Sequence, residues 1–192
     1  MKKTIILMWN PAISSYKMEA FEDDLDYLTD DWDTDCNWSI HEYDKVEDGD
    51  RFFMVRCGQG NTGIVMSGTL VGEPYCDEDW AGRGRKIYYM NMEPDYMVHT
   101  DKVDTYISTE QLMRELPGFD WTGGHAGRVL PAELAEKLDL LWSEYTQKLH
   151  SEGCIDGKQA AHKDWGKHYR ERIEELSKDI EEIKQLIERR EY

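Results

Sequence analysis

Asn37-Trp38-Ser39, followed by Glu47-Asp48-Gly49-Asp50-Arg51 and then by Gly63-Ile64-Val65-Met66-Ser67-Gly68-Thr69, is the run of this chain richest in chemical possibility. An indole face stacks on any flat ring, worth about 1 to 3 kcal/mol per base by alanine substitution, while a neighbouring hydroxyl or amide reads the ring edge. Trp38 beside Ser39 at a strand edge is therefore equipped to hold a ring rather than to break a bond. Trp80, in the loop Asp77-Glu78-Asp79-Trp80-Ala81-Gly82, and Trp121, before Gly123-Gly124, could complete an aromatic cage. His125, with glycines close on either side, could donate to a base edge or a phosphate. Arg83, Arg85 and Lys86 form the densest basic cluster of the β-rich region and are the candidates for phosphate contact. Each has a plainer alternative: core or loop packing for the tryptophans, a lone loop imidazole for His125, ordinary surface charge for the basic cluster.

Catalytic patterns do not assemble. No nucleophile stands beside a base, and Gly82-Arg83-Gly84 and Gly58-Gln59-Gly60 lack both the strand-to-helix context and the following lysine of a phosphate cradle. His150 and Cys154 are four apart, but Gly153 interrupts the helix that would align them, and two ligands make an incomplete metal site. The expectation is a binding protein without catalytic residues, metal or cofactor. Cys36, Cys57, Cys76 and Cys154 show no C-x-x-C pair, so reduced thiols are expected.

The net charge of −17 over 192 residues is unevenly distributed. Residues 19 to 50 carry fourteen acids against Lys45 alone, an acidic face that repels nucleic-acid backbone and disfavours tight nonspecific binding of long duplexes. No apolar stretch is long enough to span a bilayer or to serve as a signal-peptide core, so a cytoplasmic protein without a membrane partner is expected.

The elements that must position these residues follow from periodicity. Thr4 to Trp9 reads as a strand ended by Asn10-Pro11; Met18, Phe21, Leu25 and Leu28 fall on one helix face, with Glu22, Asp23, Asp24 and Asp26 assigned to the other. Asp30 to Asp35 reads as a loop. Strands are expected over 38–43, 51–57, 63–71 and 86–93, short and glycine-punctuated as in a small barrel. Ser108 and Gln111 suit a capping box opening a helix through Leu116, and Pro131 opens another with a stripe of Leu134, Leu138, Leu141 and Tyr145. A break near Ser151-Glu152-Gly153 separates a domain of residues 1–150 from a helical extension, 151–192. In its last helix, roughly 158–190, Ile173, Leu176, Ile180, Ile183 and Ile187 repeat as a coiled-coil seam, which points to a homodimer.

A strand ending in Trp9-Asn10-Pro11, an Asn37-Trp38-Ser39 strand, a Gly49-Asp50-Arg51 turn into Phe52-Phe53-Met54-Val55-Arg56, and Gly63 to Val71 ending in Gly72-Glu73-Pro74 occur here in an order that resembles the EVE branch of the PUA-like superfamily. Trp121-Thr122-Gly123-Gly124-His125-Ala126-Gly127-Arg128-Val129-Leu130-Pro131 is similar to its closing segment, and the resemblance spans residues 3 to 145. Relatives of that branch include YTH domains and the specificity modules of modification-dependent restriction systems. The resemblance implies an α+β fold: a PUA-like β-barrel (pseudobarrel) with packed helices. It also implies recognition of a modified or flipped base in DNA or RNA. In YTH members a tryptophan and the hydroxyl residue after it help form the pocket, which matches Trp38 and Ser39, and an asparagine after the first strand matches Asn10. The chain departs from the family at His125-Ala126-Gly127, where a serine-glycine is common, and in its acidic stretch. It also lacks the Gly-x-Lys-x-x-Glu pattern of the hydrolase-like ASCH relatives. A nucleic-acid partner carrying a modified base is thus the leading expectation. An acidic DNA-mimicking interaction factor is the alternative, and a small-molecule amidohydrolase on an ASCH-like barrel the third.

Overall fold

The computed structural model describes residues 2–29 and 36–188 of the chain, in two compact units that meet in sequence at His162 and Lys163. Strand β1 is Thr4–Trp9, and all six of its residues are buried. Successive side chains of a strand point to opposite faces, so unbroken burial means that both faces are covered. Ile5, Leu7 and Trp9 enter one core cluster, Ile6 and Met8 the other.

After β1 the Asn10 carbonyl accepts from the Ile13 and Ser14 amides (3.1 and 2.9 Å), turning the chain into helix α1, Met18–Thr29. Phe21, Leu25 and Leu28 sink into the first core, as their spacing predicts. Glu22 accepts from Lys102 Nζ (2.7 Å) and lies 2.9 Å from His99 Nε2, which ties the outer side of α1 to the turn that follows Val98. This crossover lets β3 (Arg51–Arg56) run parallel to β1, from Thr4 opposite Arg51 to Trp9 opposite Arg56.

Between α1 and β3 lies β2, Cys36–Ser39, and after β3 come the long partners β4 (Gly63–Glu78) and β5 (Lys86–Val98). Adding β6 (Arg128–Val129) and β7 (Ala160–His162) gives one seven-stranded sheet in the order β2-β5-β4-β3-β1-β6, with β7 on β5. Helix α2 (Thr109–Glu115) begins where Ser108 Oγ accepts from the Gln111 amide (3.1 Å). Helix α3 (Ala132–Glu152) follows Pro131 and ends at Gly153, a left-handed C-cap. Leu112, Leu138, Trp142 and Leu149 from these helices fill the second core. The fold is α+β. The second unit holds helix α4, Trp165–Glu188, along which Ile173, Leu176, Ile180 and Ile183 are exposed.

Several expectations need correction. The strand over 38–43 is shorter: β2 stops at Ser39, and Tyr43–Lys45 is a 3-10 turn. Strand β4 runs well past Val71, because a register shift between Val71 and Tyr75 absorbs Gly72-Glu73-Pro74, and β5 runs past Glu93 through a second shift between Ser67 and Gly68 and its pairing with β7. Residues 160–162, assigned to the C-terminal helix, form a strand instead, and the helix starts at Trp165. The loop expected at 30–35 lies outside the described residues. Among the described residues no strand pairing joins the two ends of the sheet, β2 and β6, so the sheet is not closed. Among the described residues no helix is long and apolar enough to cross a membrane.

Two features hold the sheet in register. Gly68 sits at a bulge opposite Pro94, where a Cβ would fall 2.1 Å from the Glu93 carbonyl oxygen. Asp50, with no exposed surface, accepts from the Lys3 amide (2.8 Å) and the Glu47 amide (3.0 Å), fastening the turn before β3 to the start of β1. Asp50→Ala removes the acceptor of both amides and is expected to lower stability by about 1 to 2 kcal/mol, read as a shift in urea midpoint at constant slope. Asp50→Asn, which keeps one acceptor, should lose less.

Candidate ring-binding site

Cys36, Trp38 and Ile40 face the first core, because alternate residues of β2 and its extension share one side. Trp38 is half-buried and pairs across the ladder with the fully buried Met90. Its ring meets the edge of Tyr16 at 6.0 Å and 84°. Tyr16 is placed by Trp9, whose indole N–H donates to the Tyr16 carbonyl (2.8 Å) and whose ring lies 5.5 Å from the tyrosine. Phe21 stacks on Trp9 at 5.0 Å. An aromatic wall thus lines the side of the sheet covered by α1.

One polar group is set into this wall. The half-buried Asp24 accepts through Oδ2 from the Tyr16 hydroxyl (2.6 Å) and the Cys36 thiol (3.8 Å). Burial raises the Asp24 carboxyl above the ordinary carboxylate range, the two donors oppose that rise, and Asp23 adds to it. Burial, reinforced by Asp24, pushes the Tyr16 hydroxyl far above its usual value, so Tyr16 stays a neutral donor. Among the described residues Asp24 Oδ1 has no hydrogen-bond partner and no basic side chain pairs with the carboxylate.

The structure distributes the sequence-derived residues over several places. Asn10 follows Trp9, and its Oδ1 accepts from the Ala12 amide (3.1 Å), leaving Nδ2 without a partner among the described residues. It connects to Trp38 through Trp9 and Tyr16 rather than directly. Ser39 points to the face opposite Trp38 and pairs with Tyr89, so the two neighbours do not share a pocket wall. The Tyr89 hydroxyl accepts from the Trp80 amide (2.8 Å), which puts Ser39 on the side of the β4–β5 hairpin. Trp80 is exposed there. Trp121 has no exposed surface, donates from Nε1 to the Leu116 carbonyl (2.9 Å) and belongs to the second core, so it has no face to offer a ligand. His125 stacks on His41 at 4.2 Å.

Arg83 and Arg85 both turn to Asp79, with Arg85 Nε 2.8 Å and Arg83 Nη1 4.0 Å from its Oδ2, and Lys86 pairs across the ladder with Glu78. The basic cluster is thus partly neutralised where it stands. The Ala81 amide, then Arg85, holds the Asp79 carboxyl below its ordinary range. Among the described residues no group of three His, Cys, Asp or Glu side chains could hold a metal ion.

Tyr16, Asp24 and Cys36 escaped the sequence reading. The signal was present for one of them: Phe21, Asp24, Leu25 and Leu28 have the i, i+3, i+4, i+7 spacing of a single helix face, which sets Asp24 within the buried stripe rather than among the outer acids.

No family model matches the chain, and no curated protein matches it in sequence. Among solved structures, a hypothetical protein from Leishmania major superposes with a TM-score of 0.50 at 14% identity, over 77% of this chain and 98% of that one. An NMR structure of a protein from Rhodopseudomonas palustris gives a TM-score of 0.39 at 16% identity, over 59% and 72%. The first likeness shows a shared fold.

The hairpin tip yields a test. Asp79→Asn removes the charge that holds Arg83 and Arg85, and amide exchange at Ala81 and Gly82 is expected to accelerate severalfold at neutral pH. In the parent protein a depressed carboxyl pKa stabilises the tip at all pH values above the ordinary carboxylate range. Protection at Ala81 should therefore persist down to that range and be lost only as pH falls below it.

Proposed function

We propose that the chain is a non-catalytic module that captures the ring of a modified or flipped nucleobase on Trp38. The observation that carries this reading is a half-buried indole on the core-facing side of a strand, edged by Tyr16 and accompanied by an unfilled acceptor on Asp24. A stacked ring gains its binding energy from the indole face, and its edge would find Asp24 Oδ1 as an acceptor.

The fold we read behind this site is a PUA-like pseudobarrel of the EVE type. Its support is the approach of the two sheet ends just beyond their strands: the His41 and Glu42 amides donate to the Ala126 and Gly127 carbonyls at 2.9 and 3.0 Å. Gly127 stands so close to Ile40 that a Cβ would lie 2.5 Å from its Cα, and its φ is +72°. Gly127→Ala should open this seam, with faster exchange at His41 and Glu42 and a loss of stability above 1 kcal/mol.

Trp38→Ala is expected to weaken binding of a methylated nucleoside or short methylated oligonucleotide by about 1 to 3 kcal/mol, with Trp38→Phe losing less. Calorimetric titration checks this, with circular dichroism as the control for folding. A Trp38→Ala protein that folds and binds like the parent removes Trp38 from the site. Ring capture also tolerates moderate salt, whereas steep salt dependence toward a basic protein partner would favour the DNA-mimic alternative.

A further inference from the structure

Resting on the ring-capture reading, we propose that the ring this site prefers is cationic, a base alkylated at a ring nitrogen, with the Asp24 carboxylate as its counter-charge. Three observations converge on that class. Asp24 is drawn into the buried stripe of α1, where a carboxylate is costly to ionise unless an opposite charge reaches it. It has a hydroxyl and a thiol as donors and no basic partner among the described residues, so the compensation available within the protein is incomplete. The wall beside it is aromatic, and a cation over an indole face gains an electrostatic attraction to the ring that a neutral ring does not. The acids of residues 19 to 50 act in the same direction at longer range, raising the local concentration of cations while repelling phosphate.

Among the described residues the groups that face Asp24 are Tyr16 from the β1–α1 connection, Cys36 from β2 and Asp23 from its own helix, none of which brings positive charge. Ionisation of Asp24 therefore governs the preference. Its carboxyl titrates above the ordinary range, so the attraction is weak where Asp24 is protonated and grows as pH rises through that raised value.

The test compares two isomers of equal size, 1-methyladenosine, a cation at neutral pH, and N6-methyladenosine, which is neutral, by calorimetric titration of the full chain. At pH 7 the parent protein is expected to bind the cation at least tenfold more tightly. Asp24→Asn should bring the two isomers to within about threefold of each other by weakening the cation alone. Tyr16→Phe, which keeps the carboxylate, should preserve the preference. If Asp24→Asn fails to fold, the parent's pH profile decides: a preference that falls as pH is lowered from neutrality toward the ordinary carboxylate range supports the inference, and a flat one overturns it. Equal binding of both isomers, lost in Trp38→Ala, overturns the cation preference and leaves ring capture standing. No binding of either isomer at millimolar concentration removes ring capture as well.

Discussion

Everything in the first unit hangs on one strand with two covered faces. Thr4–Trp9 contributes to both cores, and no residue of it is exposed. Its parallel pairing with β3 forces the intervening chain to cross over, and the crossover is α1, which brings Asp24 and the Trp9-facing side of Phe21 to the sheet. On the opposite face the same strand supports α2 and α3 through Ile6 and Met8. The aromatic wall and the helical layer are in this sense two readings of one alternating hexapeptide.

That division explains which parts were legible in advance. Strand β1, helix α1 and the start of α2 announce themselves through local rules: unbroken apolar burial, a three-four spacing, and a serine three residues ahead of its partner amide. Strands β6 and β7, of two and three residues, are too short to show a period, and their strand character comes from β1 and β5 alongside them. The sequence pattern predicts a strand that stops at Val71, before Gly72-Glu73-Pro74, whereas a bulge carries β4 past these residues.

The candidate site was legible in Trp38 and not in the residues around it. Trp38 could be singled out by residue type, but Ser39 was paired with it through adjacency in sequence, and adjacency in a strand means opposite faces. Trp121 had the composition of a loop residue and proved to be core, because the Leu116 carbonyl satisfies its indole N–H and permits full burial. Tyr16, Asp24 and Cys36 come from three separate elements, and only tertiary packing makes them neighbours.

The approach of the two sheet ends has a consequence for how the molecule behaves in a crowded solution. An open sheet presents two rows of unpaired amides and carbonyls, each a template on which a foreign strand can grow. Here the terminal strands have four and two residues, and the backbone just past each is spent on the other. At these two ends the chain is thus its own edge cap, and strand addition is left to the outer edge of Tyr75–Glu78 in β4, which pairs with β5 alone among the described strands.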